Sequence, residues 1–552
     1  MASKLKIIPL GGLNEIGKNC TVIEYGEDML VVDCGLGFPD EEMYGVDIVI
    51  PDFTYLVQNQ HRIKGIVLTH GHEDHIGGLP YLMRELNVPL YATRLTAGLI
   101  GIKLEEHGLL EKTKITTLEA GERFKAGCFD VELIHVNHSI ADAVSLAIRT
   151  PIGTVIHTGD FKIDVTPIQN SMIDLTRFGE LGKQGVLLLM SDSTNVEKPG
   201  YSDSESKVGA RFDQLFKDCE KRIIVTTFAS NVHRMQQIIN CAAKVGRKVA
   251  VTGRSMENIM RVSRELGYMD VPENTLVDIN RIGDYPNDKI VIITTGSQGE
   301  SMSALYRMAF SGHRQVEISA GDRVIISASA IPGNETTISR VINELFMKGA
   351  EVVYDRLEEL HVSGHACREE LKMMLALTQP KFFMPLHGEQ RHLRTHAELA
   401  KTMGVEARNV VVGDIGTVVE LTRKSIKLAG TVPAGKVLVD GTSVGDVGSV
   451  VLRDRKHLAQ DGMVVVVMTL SAEDTSLISG PDIVTRGFVF VKESDQLMEE
   501  LKRVTLETLD SCEHQHITDW ATIKTKVKAN LSGYLYKKTK RSPMILPVIM
   551  EV

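Results

Sequence analysis

The chain has 552 residues, 43% apolar and 24% charged, with a formal net charge of −9. That length exceeds one hydrophobic core and implies three or four domains of ordinary globular composition. The negative balance excludes a uniformly basic nucleic-acid coat, so a polyanion must be met in a local groove or through metal. No apolar run approaches the roughly 20 residues of a membrane span, and "MASKLKIIPLGG" lacks the hydrophobic region of a signal peptide. No membrane partner is expected. Seven scattered cysteines without a CxxC pair fit reduced thiols and a cytoplasmic location.

In chain order, "KLKIIPL", "TVIEYG", "MLVVDCG" and "IKGIVLTH" have the short β-rich texture of successive strands. "IGGLPYLMRELN" predicts a helix, and "FDVELIHVNH", "AVSLAIRTPIGTVIHTGD" and "GVLLLMSDS" predict further strands. From about Ser206 helices ("VGARFDQLFKDCEKR", "NVHRMQQIINCAAKVG") alternate with strands ("RIIVTTF", "KVAVTG", "KIVIITTG", "DRVIISAS"), the pattern of a doubly wound parallel sheet. After "HVSGHACREELKMML" the first texture resumes in "KFFMPLHGE" and "RNVVVGDIGTVVEL". A Gly/Val-rich stretch suggests a linker with edge strands. A last α/β unit then reads as strands "GMVVVVMTL" and "RGFVFV" followed by two long helices. The expected domains are 1–205 with 363–425, an insert 206–362, a linker 426–457 and a C-terminal domain 458–552.

The chemistry concentrates in "LTHGHEDHIGG", residues 68–78. His70, His72, Asp74 and His75 follow a hydrophobic strand, where closely spaced side chains can converge on one point. Neutral imidazole and carboxylate are the usual companions of Zn²⁺. Four such residues exceed the needs of one tetrahedral ion with an open position, so two ions with further ligands are expected. Strand ends offer His138, Asp160 and His387. A lone histidine among 18 is more often an ordinary hydrogen-bonded residue, and His61, His107, His313, His392, His396, His514 and His516 are read that way.

"HGHEDH" resembles the HxHxDH signature of the metallo-β-lactamase superfamily, and His138 and Asp160 match its next two ligand motifs. Glu205 in "SDSESK", His365 in "HVSGHA" and His387 in "MPLHGE" resemble the motifs of the β-CASP insertion of nucleic-acid nucleases, where a final histidine points to RNA. With "GGLNEIGKN", "FASNVHR", "TTGSQGE", "IPGNE" and "SGYLYKKTKRSPMILPVIMEV", the chain resembles the bacterial ribonuclease J family from end to end. The resemblance implies an αββα sandwich with an inserted doubly wound β-CASP domain and a small C-terminal α/β domain. It implies two zinc ions per subunit, with manganese or magnesium as possible activating ions. One would be held by His70, His72 and His138, the other by Asp74, His75 and His387, with Asp160 bridging. The family has a weaker form with eroded metal motifs; here all seven positions stand, which favours the active form.

The same resemblance implies Asp192 and His365 as acid/base residues, with Glu205 orienting His365. On sequence alone Asp192 is nearly as well read as a turn cap beside Ser193 and Thr194, and Glu205 as an exposed acid. Substrate contacts are expected at Ser230, Asn231 and Val232, and at His361, Val362, Ser363, Gly364 and His365. The βα turns at Asn231 and at Gly296 and Gly299 suggest free helix-start amides for a phosphate. A second such pocket, for a 5′-monophosphate, is expected where Ser363 and Gly364 precede a helix.

The implied activity is 5′-to-3′ exonucleolytic and endonucleolytic cleavage in RNA decay and maturation. The implied partners are single-stranded RNA, a second copy or a tetramer through the C-terminal domain, and a paralogous subunit or RNA-decay assembly. A small-molecule metallohydrolase and a quiet scaffold are the alternatives; the first would not need the insert, and the intact ligand set argues against the second. The basic run Lys537, Lys538, Lys540 and Arg541 reads as a solvated helix end or an RNA contact. Asp47 and Asp440 are candidates for a structural cation.

Overall fold

The computed structural model describes residues 4–168, 171–300, 303–329, 334–354, 360–472, 476–489 and 495–552. The chain separates into two compact units, 1–38 with 48–437, and 39–47 with 438–552.

Two mixed sheets form the body of the first unit. One has eight strands, with Leu5–Gly11, Cys20–Tyr25, Asp28–Val32 and Ile63–Val67 at its centre. The other has six, in the order Phe382–Leu386, Val186–Asp192, Gly153–His157, Val144–Thr150, Phe129–His135 and Arg123–Ala126. Their facing side chains make one core: Leu5, Ile7, Ile23 and Leu30 meet Val131, Leu133, Leu188, Met190 and Met384. Strand alternation turns Leu189 and Phe383 the other way, against Phe178, Leu371, Met374 and Leu375 of the outer helices. The expected αββα sandwich follows from strands that are apolar on both faces.

The insert is a five-stranded sheet in the order Lys248–Thr252, Ile290–Thr294, Ile223–Thr226, Arg323–Ile326, Glu351–Tyr354, parallel throughout. Helices Glu205–Lys217 and Val232–Lys244 pack together at its edge. In the second unit, Leu477–Arg486, Met463–Leu470 and Met544–Glu551 form a sheet. Helices Asp495–His514 and Trp520–Thr539 cover one of its faces through Leu501, Val527, Leu531 and Leu535.

Several boundaries differ from the sequence reading. Ile426–Thr431 is an edge strand of the eight-stranded sheet, and Ser449–Asp461 is a helix, so the expected linker is largely regular structure. Residues 39–47 belong with the second unit. The strand expected at "RGFVFV" lies earlier, at Leu477–Arg486, and its last two residues fall outside the described residues. Pro481 and Pro547 disguised the two outer strands; both sit on sheet edges, where a missing N–H is tolerated.

Glu132 shows how the body holds charge. Its carboxylate accepts from Arg177 (2.7 Å), Arg149 (2.7 Å) and Arg123 (3.0 Å). Burial alone would raise its pKa, but the arginines hold it down to about 2. A depressed carboxylate stabilises the fold above its ordinary pKa and loses that contribution as pH falls from about 4.5 toward 2. Glu132→Gln is expected to cost roughly 2 kcal/mol at neutral pH. The difference from wild type should shrink in that acid window, as read by thermal unfolding at stepped pH.

Candidate metal centre and catalytic groove

Both sheets deliver ligands at one edge. Strands Gly153–His157, Val186–Asp192 and Phe382–Leu386 run parallel, with Asp192 paired to Leu386. Asp160, Asp192 and His387 therefore emerge side by side at their carboxyl ends, where loops carry chemistry. From the other sheet, the parallel strands Asp28–Val32 and Ile63–Val67 end at Asp33 and at the turn carrying His70, His72, Asp74 and His75. His138 follows Phe129–His135.

The donor atoms fall into three overlapping groups that share Asp160: His70, His72, His138 and Asp160; Asp74, His75, Asp160 and His387; and Asp160, Asp192, His365 and His387, with atoms of each group within 4.8 Å of one another. The first two are the expected metal groups. Asp160 Oδ2 lies 3.7 Å from His70 and His138 and 3.2 Å from His75. Its Oδ1 is 3.2 Å from His387. His72 Nδ1 stands 3.0 Å from both His70 Nε2 and His138 Nε2. Burial keeps His70 and His138 well below the ordinary imidazole pKa and His72 at about 4. Three neutral rings therefore aim nitrogens at one point. Tetrahedral ligands at zinc distances lie about 3.3–3.4 Å apart, so the trio fits a cation.

The second group fits one too. Burial opposes charge on His75 and His387, but Asp160 and neighbouring carboxylates draw both well above their ordinary values, and a metal would displace those protons. His387 Nε2 is buried without a hydrogen-bond partner.

The surrounding shell fixes each ring. Asp33, at φ +61°, accepts from His75 Nδ1 (2.8 Å) and from the Thr69 amide (2.8 Å). His138 Nδ1 donates to the Gly364 carbonyl at 2.7 Å, leaving Nε2 for the site. Asn19 Nδ2 donates to the Asp74 carbonyl at 3.2 Å. Thr194 Oγ1 donates to Asp192 Oδ1 (2.8 Å) and lies 3.2 Å from His387 Nδ1. Asp33, Thr69 and Asn19 escaped the sequence reading; "VVDCG", an acid at a strand end one strand before the histidine turn, was the available signal for Asp33. The turn cap read at Asp192 is present too, since its Oδ1 also accepts from the Thr194 amide at 2.9 Å.

His365 borders this centre, half-exposed, and its Nδ1 lies 2.8 Å from Asp192 Oδ2. Burial opposes its protonation, but Asp192 and Asp160 outweigh this and raise its pKa. The expected pairing of Glu205 with His365 is not found. Glu205 instead binds Arg234 through both oxygens, at 2.7 and 2.8 Å. Asp192 is the acid that orients His365.

The phosphate pockets also differ from expectation. The helix after Gly364 starts at Arg368 with Cys367 as N-cap, so Ser363 is not its cap. Its first amides are taken: Arg368 N donates to Lys198 O and Glu369 N to Gly200 O. Ser363 Oγ accepts from Asn195 Nδ2 (2.7 Å) and from the His365 amide (3.2 Å), which shapes the turn. At the other turn, the buried Asn231 accepts from Arg234 N and Val232 is wholly buried, leaving only Ser230 half-exposed. Val362 is buried and His361 half-exposed. Gly296 and Gly299 precede a short helix that begins only at Ala304. "IPGNE" lies mostly outside the described residues.

In the second unit, Asp440 pairs with Arg455 (2.5 Å) and Asp47 accepts from the Gly441 amide (2.7 Å). Of the basic run, Lys538 pairs with Glu500 (2.8 Å) and Arg541 donates to the Phe488 carbonyl (2.7 Å).

Sandwich, insert and paired His/Asp groups define a metallo-β-lactamase-fold hydrolase of the β-CASP type. Residues 13–170 match the metallo-beta-lactamase superfamily, 220–345 the ribonuclease J beta-CASP domain, 349–410 a Zn-dependent metallo-hydrolase RNA specificity domain and 450–552 the ribonuclease J C-terminal domain. The chain is 41% identical to ribonuclease J2 of Bacillus subtilis over 99% of both chains. It is 44% identical to ribonuclease J of Thermus thermophilus over 99% of this chain and 95% of that one. A solved Enterococcus faecalis protein of unknown function shares the fold at 17% identity, with a TM-score of 0.54 over 76% of this chain and all of that one. The chain belongs to the ribonuclease J family, and by that membership it is a hydrolytic, metal-dependent ribonuclease.

A Cβ on Gly364 would lie 2.7 Å from the His138 ring. Gly364→Ala is therefore expected to push His138 aside and weaken metal binding about 10- to 100-fold, with the melting temperature nearly kept. Metal content after dialysis, read by mass spectrometry, checks this; unchanged content would show that the turn can yield.

Proposed function

We propose that the chain is a two-metal ribonuclease on single-stranded RNA, cutting from the 5′ end with a preference for a 5′-monophosphate, and also internally, in cytoplasmic RNA decay and maturation. The observation that carries the chemistry is the Asp192–His365 pair beside two donor groups that share one carboxylate. Bound at those groups, two cations, zinc in our reading or manganese or magnesium as activating ions, would neutralise phosphodiester oxygens and lower the pKa of an attacking water. His70, His72 and His138 would hold one, Asp74, His75 and His387 the other, with Asp160 reaching both. Asp192 accepts the Nδ1 proton of His365 and so turns Nε2 toward the groove, where it can protonate the leaving 3′-oxygen. Glu205 takes no part in that transfer. The 5′-to-3′ direction rests on the family resemblance, since the helix amides expected to hold the terminal phosphate are already bonded.

The test uses one RNA sequence bearing a 5′-monophosphate, hydroxyl or triphosphate, with and without chelator, and a matched DNA. Mononucleotides released fastest from the monophosphate, lost with chelator and in His72→Ala, are expected. Equal rates on DNA, or cleavage by His72→Ala at the wild-type rate, would overturn the reading.

For the partner, the C-terminal sheet supports pairing of two copies. Its uncovered face is built of rows: Met463 between Arg486 and Met544, Val465 between Val484 and Leu546, Val467 between Asp482 and Val548. Val484 and Leu546 are 43% and 49% exposed. Asp482 and Arg486 flank Val484 on one face, so a second copy laid antiparallel across it sets each acid against an arginine. A paralogous subunit would need the same pattern. Val484→Asp with Leu546→Asp is expected to reduce the particle to a monomer by light scattering; an unchanged mass would place the contact elsewhere.

A further inference from the structure

Arg234 is the largest fully buried charged side chain of the insert and has been given no part in the chemistry. Its guanidinium gathers three elements. Nε and Nη2 grip Glu205 at the start of helix Glu205–Lys217. Nη1 donates to the Ser327 carbonyl at 2.9 Å, one residue past the strand Arg323–Ile326. The same Nη1 stands 3.3 Å from His361 Nδ1. Ser327 Oγ in turn donates to the Leu360 carbonyl at 2.6 Å, which anchors the chain just before His361.

A guanidinium has only donors, so His361 Nδ1 can only accept. A ring nitrogen that accepts carries no proton, and the neutral ring must carry its single proton on Nε2. Burial, then the charges of Arg234, Lys198 and Lys162, hold the ring neutral, with a pKa down at about 3. Its Nε2–H donates to no group among the described residues, and the ring is half-exposed beside Phe228, with centroids 6.4 Å apart. Lys198 is exposed and forms no ion pair among the described residues. Four residues on, the same turn carries His365.

We propose that Arg234 is a positioning residue for RNA: it locks His361 in the Nε2–H tautomer, so that a neutral donor, with Lys198 beside it, meets a backbone phosphate of the substrate strand. This rests on the ribonuclease reading, in which His361 is already an expected substrate contact, and adds to it Arg234, a residue that sets the contact without touching the strand. The contact is distinct from the acid/base pair, because His365 is fixed by Asp192 and His361 by Arg234. A neutral donor also loses no proton on meeting the phosphate, so its contribution persists across the working pH range, whereas a charged histidine's would vanish near neutrality.

Histidine ¹⁵N shifts in the full-length protein report the tautomer without any need for activity, His361 being assigned by its loss in His361→Phe. In wild type, the Nε2–H pattern should persist from pH 8 down to the lowest pH at which the protein stays folded. In Arg234→Lys, which keeps a cation against Glu205 but cannot reach three partners, that pattern should give way to mixed tautomers. KM for a short single-stranded RNA should rise roughly five-fold, the worth of one hydrogen bond, with the loss falling on KM. His361→Phe should lose a similar amount, and the double variant little more than either. An Nδ1–H tautomer in wild type, an unchanged tautomer in Arg234→Lys, or additive losses in the double variant would overturn the proposal. Absence of RNA cleavage in wild type would sink the ribonuclease reading and leave the tautomer result standing by itself.

Discussion

His72 Nδ1 meets His70 Nε2 and His138 Nε2 at 3.0 Å each, and the one proton a neutral His72 ring could place there serves a single one of them well. Each neutral ring has one proton, and for His138 it is committed backward, to the Gly364 carbonyl. A cation at their centre would satisfy all three nitrogens at once. The rest of the body can be understood as the apparatus that keeps them there. Side chains of Asp33 and Thr194 and one backbone carbonyl, that of Gly364, do the holding. Gly364 supplies a carbonyl at a point where any side chain would strike the ring it orients. Asp33 accepts the His75 proton from a left-handed conformation that an aspartate tolerates better than most residues.

This constraint explains why the site lies between two sheets. A loop cannot hold seven donors to a few tenths of an ångström, but parallel strand ends can. Asp192 is paired in register with Leu386, next to His387, and Thr194 ties the two ends together by hydrogen bonds. The strands that fix this register are buried throughout. Burial of the core and precision of the site are therefore one fact: a slip of one residue would turn Leu188 and Met190 out of the sandwich and also carry Asp192 out of reach of His365.

What the sequence revealed divides along the same line. "HGHEDH" was legible because its donors are adjacent in the chain, and the alternation of strands and helices was legible because burial imposes it locally. Partnerships across the fold were not. Glu205 and Asp192 are both acids in polar turns, and nothing within either turn says which meets His365; that is decided by where helix Val232–Lys244 brings Arg234. "HVSGHACREE" looked like a helix start with free amides, yet the carbonyls of Lys198 and Gly200, some 170 residues earlier, had already taken them. The C-terminal outer strands were hidden for a different reason: Gly480, Pro481 and Pro547 interrupt an alternation that an edge position makes harmless.

The insert raises a last question of energetics. A buried carboxylate–guanidinium pair such as Glu205–Arg234 is poor value as a source of stability, because the cost of desolvating both charges offsets most of their attraction. Its worth lies in being intolerant of misplacement, since either charge left alone would cost several kcal/mol. A polar contact between body and insert is of another kind: the half-exposed Tyr268 hydroxyl donates to Asp142 at 2.8 Å, four residues beyond His138, while Asp142 also accepts from the Leu95 amide. Apolar packing, as between Gly98 and Val262 or Leu266, would permit small slides of the insert over the body. The directional Tyr268–Asp142 bond resists them and ends four residues from His138, while within the insert Arg234 fixes the start of the turn that runs from His361 to His365. The insert is thus tied to the turn that carries His138 and itself holds the turn that leads to His365.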